Sequence, residues 1–238
     1  MEVVVASSPD MQIYQQQFIS GSEKKRREAL ESLLKEGAEG IAFLEAFLVA
    51  VREGKHPLDS VAGRVYAKLL QCSEVEVQTF LQTKFPQGLV DSSSDRNLEY
   101  QDLETLLATE QFEAADRLTI QKMCELAGTA AQQRKWLYFS EVDLVPQQDL
   151  QSLDRLWRIY SDDKFGFSVQ REIWLGVGQS WDKLWPKIGW KNGNIWTRYP
   201  QGFTWNLSAP KGHLPLTNQL RGVRVMAALM AHSAFQKD

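Results

Sequence analysis

The chain has 238 residues, 43% hydrophobic and 24% charged, with a formal net charge of -3. That balance is globular; it excludes a largely disordered chain and argues against a protein that coats nucleic acid with its whole surface. Two distant cysteines, Cys72 and Cys124, exclude a disulfide framework, and the absence of an apolar run of ~20 residues excludes a membrane-spanning helix. The opening MEVVVASSPD reads as neither a signal nor a transit peptide, so a cytoplasmic protein is expected.

Residues 1–85 read as a small helical bundle. Leu30, Leu33 and Leu34, then Ile41, Leu44, Phe47, Leu48 and Val51, recur at helical spacing. Ser22 before Glu23 marks a helix start, and Gly37, Gly40 and Gly54 mark ends or turns. Leu58, Val61, Val65 and Leu69 predict another helix, and Val77, Phe80 and Leu81 a shorter one. The basic cluster Lys24–Arg27 is flanked by Glu23 and Glu28 and reads as a solvated helix face. Residues 86–97, PQGLVDSSSDRN, carry Pro, Gly and three consecutive serines and read as a linker.

Residues 98–238 form a second predicted domain. Leu98, Leu103, Leu106 and Leu107, followed by Phe112, Ala115, Leu118, Met123 and Leu126, predict a helical hairpin closed by Gly128. Leu150, Leu153, Leu156, Trp157 and Tyr160 predict a helix after Pro146. Shorter elements follow around Phe167–Val177 and Trp181–Ile188. Strand signals are weak throughout, so the expected fold class is all-α.

A catalytic site is not legible. His56, His213 and His232 are scattered outside any metal-ligand spacing, and there is no Walker motif or nucleophile elbow. The anomaly lies near the C-terminus. Lys183, Lys187, Lys191, Arg198, Lys211, Arg221 and Arg224 occupy an interval with no Asp or Glu, a positive island on an acidic chain. Six of the eight tryptophans fall between Trp174 and Trp205, three of them on a stretch rich in Gly and Pro. Asn192-Gly193 signals a tight turn and Tyr199-Pro200-Gln201-Gly202 a type I turn. Each ring taken singly favours packing under the loop; as a group beside seven cations they favour a ligand surface.

The last amphipathic helix is expected to start at Thr217 as N-cap, with Asn218, Arg221 and Arg224 as one ridge. Arginines in the first turns oppose the helix dipole unless an anion sits there. A large, planar, anionic ligand would satisfy both features, and a tetrapyrrole with two propionates fits. Single-stranded nucleic acid and a protein partner compete on the same residue types.

The stretches NLEYQDLETLLATEQFEAADRLT, FGFSVQREIW, WPKIGWKNGNIWTRYPQGFTWNLSAPKGHLP and RGVRVMAALM resemble the Genomes-Uncoupled-four family, porphyrin-binding regulators of magnesium chelatase in chlorophyll biosynthesis. The resemblance covers about residues 98–235, and the preceding bundle resembles the N-terminal domain of cyanobacterial members. It implies an all-α "cupped hand" core that binds protoporphyrin IX and Mg-protoporphyrin IX. It also implies a monomeric, non-catalytic activator that meets the membrane only peripherally and works through the chelatase H subunit. Transferred onto this chain, Asn218, Arg221 and Arg224 would face the porphyrin. Trp196, Tyr199 and Phe203 would form part of the cup, with Phe139 as an opposing wall. His213 is not expected to be an axial ligand.

Overall fold

A computed structural model of the chain describes residues 9–217 and 223–236. It is helical apart from one two-stranded hairpin, in two compact units, residues 1–89 and 90–238.

The first unit holds α1 (Pro9–Ser20), α2 (Glu23–Lys35), α3 (Ala38–Arg52), α4 (Ser60–Leu70) and α5 (Val75–Lys84). Sequence patterning missed α1, whose apolar stripe is thin; Met11 and Phe18 nonetheless lie in the core. Ser22 caps α2 with extended backbone, as read from sequence. Gly40, read there as a turn, instead lies inside α3. A Cβ at that position would sit 1.8 Å from the Leu33 carbonyl oxygen, so the missing side chain lets α3 close onto the end of α2. The basic cluster is also not uniformly solvated. Arg26 is 14% exposed, pairs with Asp59 at 2.5 Å and donates to the Phe18 carbonyl. Asp59 caps α4 at the same time by accepting the Ala62 N–H.

The second unit is built on the hairpin of α6 (Gln101–Ala108) and α7 (Phe112–Ala127), which ends at Gly128 with φ 112°. After α8 (Thr129–Arg134) and a 3-10 turn (Phe139–Leu144), α9 (Gln147–Ile159) packs against both hairpin helices. Trp157 on α9 is fully buried, stacks on Phe112 at 6.0 Å and donates its indole N–H to the Thr119 hydroxyl at 3.0 Å. Thr119→Val removes that acceptor while keeping the shape. It is expected to lower stability by ~1–3 kcal/mol, read by urea denaturation, because the buried indole N–H loses its partner.

The serine-rich segment is fastened to this unit by buried carboxylates. Val90 donates its N–H to Glu104, and Asp95 to Asp149, which also accepts the Tyr100 hydroxyl at 2.6 Å. Its composition is that of a linker, but its backbone has fixed partners.

Next come α10 (Phe167–Gly176), α11 (Trp181–Lys187), strands β1 (Lys191–Asn192) and β2 (Ile195–Trp196), and finally α12 (Arg224–Ala231) with a 3-10 turn (Ser233–Phe235). Lys191 pairs with Trp196 and Asn192 with Ile195, so the turn residues are Gly193 and Asn194, one place beyond the sequence reading. The next turn also shifts by one: the Pro200 carbonyl accepts the Phe203 N–H. The long segment between β2 and α12 is stapled to α10. Gln170 donates to the carbonyls of Gly212 and Pro215, while the Gly212 N–H donates to the Lys164 carbonyl and the Gly166 N–H to the Leu214 carbonyl. Gly212 has φ 78°, and a Cβ there would meet Ile173 at 2.7 Å, so glycine is required twice over. Among the described residues, no helix is long and apolar enough to cross a membrane.

Candidate functional site

Stapling this segment shapes one cavity of about 370 Å³. Its walls come from five places. α7 supplies Asp116, Arg117, Ile120 and Met123; the chain after α8 supplies Lys135, Trp136 and Leu137. Tyr199 enters from the Trp/Gly-rich loop, Leu216 and Thr217 from the segment before α12, and Val225 and Leu229 from α12 itself. Apolar side chains dominate, with two cations and one carboxyl placed among them, the usual make-up of a site for an apolar ligand carrying a few polar groups.

The carboxyl is unusual. Asp116 is 3% exposed, and its Oδ1 accepts the Leu216 N–H at 2.6 Å. Burial pushes its pKa up to about 7, against the opposing pull of the Leu216 N–H and Arg117. Burial and the Asp116 charge together push the Tyr199 phenol above its ordinary value. Tyr199 and Asp116 thus share one electrostatic environment across the cavity.

The site residues expected from sequence fall into three groups. Tyr199 lines the cavity and is 48% exposed. Arg224 and Phe139 are brought together: the guanidinium sits 5.4 Å from the ring centroid, a cation–π pair beside the cavity residue Val225. Arg224 opens α12, so a cation does stand at a helix N-terminus, where the dipole disfavours it. Asn218 and Arg221 lie outside the described residues, as does the start of the helix expected from Thr217.

The other loop rings divide. Phe203 is buried, packs on Trp190, Trp205 and His213 as the core under the loop, and does not line the cavity. Trp196 is 44% exposed, tilted on Trp185 and covered by the Lys191 ammonium, and it does not line the cavity. Behind it runs a column of indoles, Trp174, Trp181, Trp185 and Trp190, with successive centroids 5.0, 5.3 and 5.7 Å apart. The rings of this loop thus divide between core packing, the exposed surface and the cavity wall.

His213 is committed to structure. Its Nε2 accepts the Thr204 N–H, so the proton sits on Nδ1 and is donated to the Ile188 carbonyl at 2.6 Å. Burial holds its pKa below the ordinary value, which keeps the ring neutral. Neither nitrogen is free to ligate a metal. Among the described residues, no cluster of three or more His, Cys, Asp or Glu side chains could hold a metal ion.

Sequence reasoning missed Asp116, Ile120, Met123, Leu137 and Leu229. Met123 is a hairpin core residue by spacing, and Ile120 sits on the flank of the same helix. A carboxylate at position 116, on the buried side of α7 between Phe112 and Thr119, was the available signal.

The second unit is thus a helical core with an apolar cavity walled by α7, α12 and an aromatic loop. Comparison with known families is more specific. Residues 93–233 match the GUN4-like family, and residues 3–86 match the ARM-like repeat domain of the GUN4 N-terminus. The chain belongs to the GUN4-like family. It is 46% identical over 222 residues to a Ycf53-like protein of Synechocystis, covering 93% of this chain and 95% of that one. It is 37% identical over 142 residues to a chloroplastic tetrapyrrole-binding protein of Arabidopsis thaliana, covering 56% and 54% respectively. The solved GUN4 of Chlamydomonas reinhardtii superposes with a TM-score of 0.58 at 39% identity, covering 62% of this chain and 96% of that one. Ligand-free Arabidopsis thaliana GUN4 superposes with a TM-score of 0.55 at 36% identity, covering 61% and 99%.

Proposed function

We propose that this protein binds protoporphyrin IX and Mg-protoporphyrin IX in the cavity between α7, Tyr199 and α12, and stimulates magnesium chelatase through its H subunit without catalysing chelation. The observation that carries this reading is an apolar cavity bordered by cations, in a chain of the GUN4-like family with a tetrapyrrole-binding relative. Apolar walls would cover the macrocycle, while arginines beside the cavity would take the propionates as charge-assisted forks. With both His213 nitrogens occupied, the metal of Mg-protoporphyrin would receive no ligand from that residue. The protein would act as a cytoplasmic monomer that keeps a sparingly soluble pigment dispersed and hands it to the enzyme; nucleic acid has no place in the reading.

Titration with protoporphyrin IX should shift the Soret band and quench tryptophan emission. No spectral change at micromolar protein would overturn the reading. Tyr199→Leu is expected to weaken binding about five- to tenfold, or ~1 kcal/mol, as one stacking wall is replaced by an aliphatic one. Stimulation of chelation by the purified chelatase subunits, present with this chain and absent without it, tests the partner.

A further inference from the structure

Among the described residues, Asp116 is the one acid lining the cavity. A carboxyl group facing an apolar cavity, rather than a serine or an asparagine, makes the wall's charge depend on pH. It is also tied to the segment leading toward α12, since Leu216 immediately precedes Thr217 and donates its N–H to Asp116.

We propose that Asp116 is a positioning residue of this cavity that takes up a proton when an apolar macrocycle is bound, so that ligand affinity is coupled to proton concentration near neutrality. The inference rests on the tetrapyrrole reading above and adds a regulatory property to that site.

Three observations support it. First, the carboxyl is 3% exposed and lines the cavity that a macrocycle would fill. A macrocycle in the cavity would put apolar surface where solvent could otherwise enter, and desolvation penalises the ionised form. Second, the Leu216 N–H does not require the charge. A neutral carboxyl still accepts through its carbonyl oxygen and gains an O–H donor, so protonation leaves the segment anchored. Third, burial already places its pKa at about 7, so modest further desolvation crosses the working pH.

The surrounding charges are few. On its own helix, Glu113 favours the neutral form and Arg117 the ionised one, and those two are themselves paired at 3.2 Å. Facing it are the Tyr199 phenol from the loop and Lys135 from the chain after α8, while α12 contributes Val225 and Leu229. The neighbourhood therefore leaves desolvation as the leading influence.

The sign follows directly. Below about pH 7 the free protein already carries the proton, and affinity is flat. Above it, each pH unit costs up to about tenfold in affinity, until the raised pKa of the bound state is passed. The porphyrin propionates are ionised throughout this window and add no slope.

The test is an absorbance titration with deuteroporphyrin IX, a soluble dicarboxylic porphyrin, between pH 6.5 and 8.5, on the full chain and on Asp116→Asn. The full chain should lose about tenfold or more in affinity between pH 7 and 8.5, and the Asn variant should stay flat near the low-pH value. Identical slopes in the two proteins would overturn the inference while leaving tetrapyrrole binding intact. No binding by either protein at any pH would remove the tetrapyrrole reading, and this inference with it. Calorimetry of the unsubstituted chain at pH 8, in two buffers of different ionisation enthalpy, decides independently of whether the variant folds: net proton uptake on binding is expected, and none would overturn the proposal.

Discussion

Arg224→Glu is expected to weaken dicarboxylic porphyrin binding by about a hundredfold, with Arg224→Lys losing about tenfold. The argument begins with position. Arg224 opens α12, is solvent-exposed, and holds its guanidinium over the Phe139 ring, next to the cavity wall at Val225. A charge-assisted hydrogen bond contributes ~1.5–3 kcal/mol, and a bidentate fork adds geometric fit that an ammonium lacks. Reversal to Glu removes the bond and adds repulsion of the propionate. It also places an acid where the dipole of α12 prefers one, so the free protein should be no less stable. Binding measured by Soret shift should fall while the urea midpoint holds or rises. Loss of both together would mean that Arg224 matters to the fold and not to the ligand. Phe139→Ala, which removes the ring that orients the guanidinium, should fall between Lys and wild type.

The second large effect concerns stability. Asp116 ionises near its ordinary value when unfolded and at about 7 when folded. Its folded pKa is raised, so the folded state binds the proton more tightly. The stability this confers is complete below about pH 4 and is lost as pH rises through 7. At ~1.4 kcal/mol per unit over roughly three units, the loss is about 4 kcal/mol. Asp116→Asn cannot ionise, keeps an acceptor for the Leu216 N–H, and avoids that loss. Between pH 4.5 and pH 8.5, the stability difference between variant and wild type should therefore move by ~2–4 kcal/mol in favour of Asn. A constant difference across that range, by urea denaturation at each pH, would show that Asp116 is better solvated than its surroundings imply. The Asn amide must also find partners for its donors, so the absolute stability at low pH is expected to favour Asp.

Much of the fold was legible because helices announce themselves by period. The hairpin of α6 and α7, the helix after Pro146 and the start at Ser22 followed from spacing and caps. Gly40 was misread because a glycine has two uses with one appearance. It breaks a helix by conformational freedom, or it permits close approach by having no side chain; only the neighbouring helix end reveals which. α1 was missed because its polar residues dilute the pattern, although Met11 and Phe18 are fully buried.

The candidate site divides along the same physical line. Tyr199 and Arg224 stood out through local anomalies, namely an aromatic among turn residues and a cation at the wrong helix end, whereas Phe139 came only from the family resemblance. Ile120, Leu137 and Leu229 carry no such signal, because a cavity wall and a core look alike in sequence. Phe203 and Trp196 show the converse. Composition marks the loop as aromatic but does not say which ring turns inward; that follows from the fold around them, where the Trp190 indole donates to the His213 carbonyl and the Trp205 indole to the Pro200 carbonyl.

The indole column gives the protein an optical property of its own. Trp174, Trp181, Trp185 and Trp190 stand 5.0 to 5.7 Å apart in sequence order, with Trp196 tilted on the third at 5.5 Å. At such spacings, ultraviolet excitation absorbed by one ring migrates among all of them before it is emitted. The column behaves as a single antenna. A pigment docking near any one ring would drain the whole set, and emission should fall further than the number of contacted tryptophans implies.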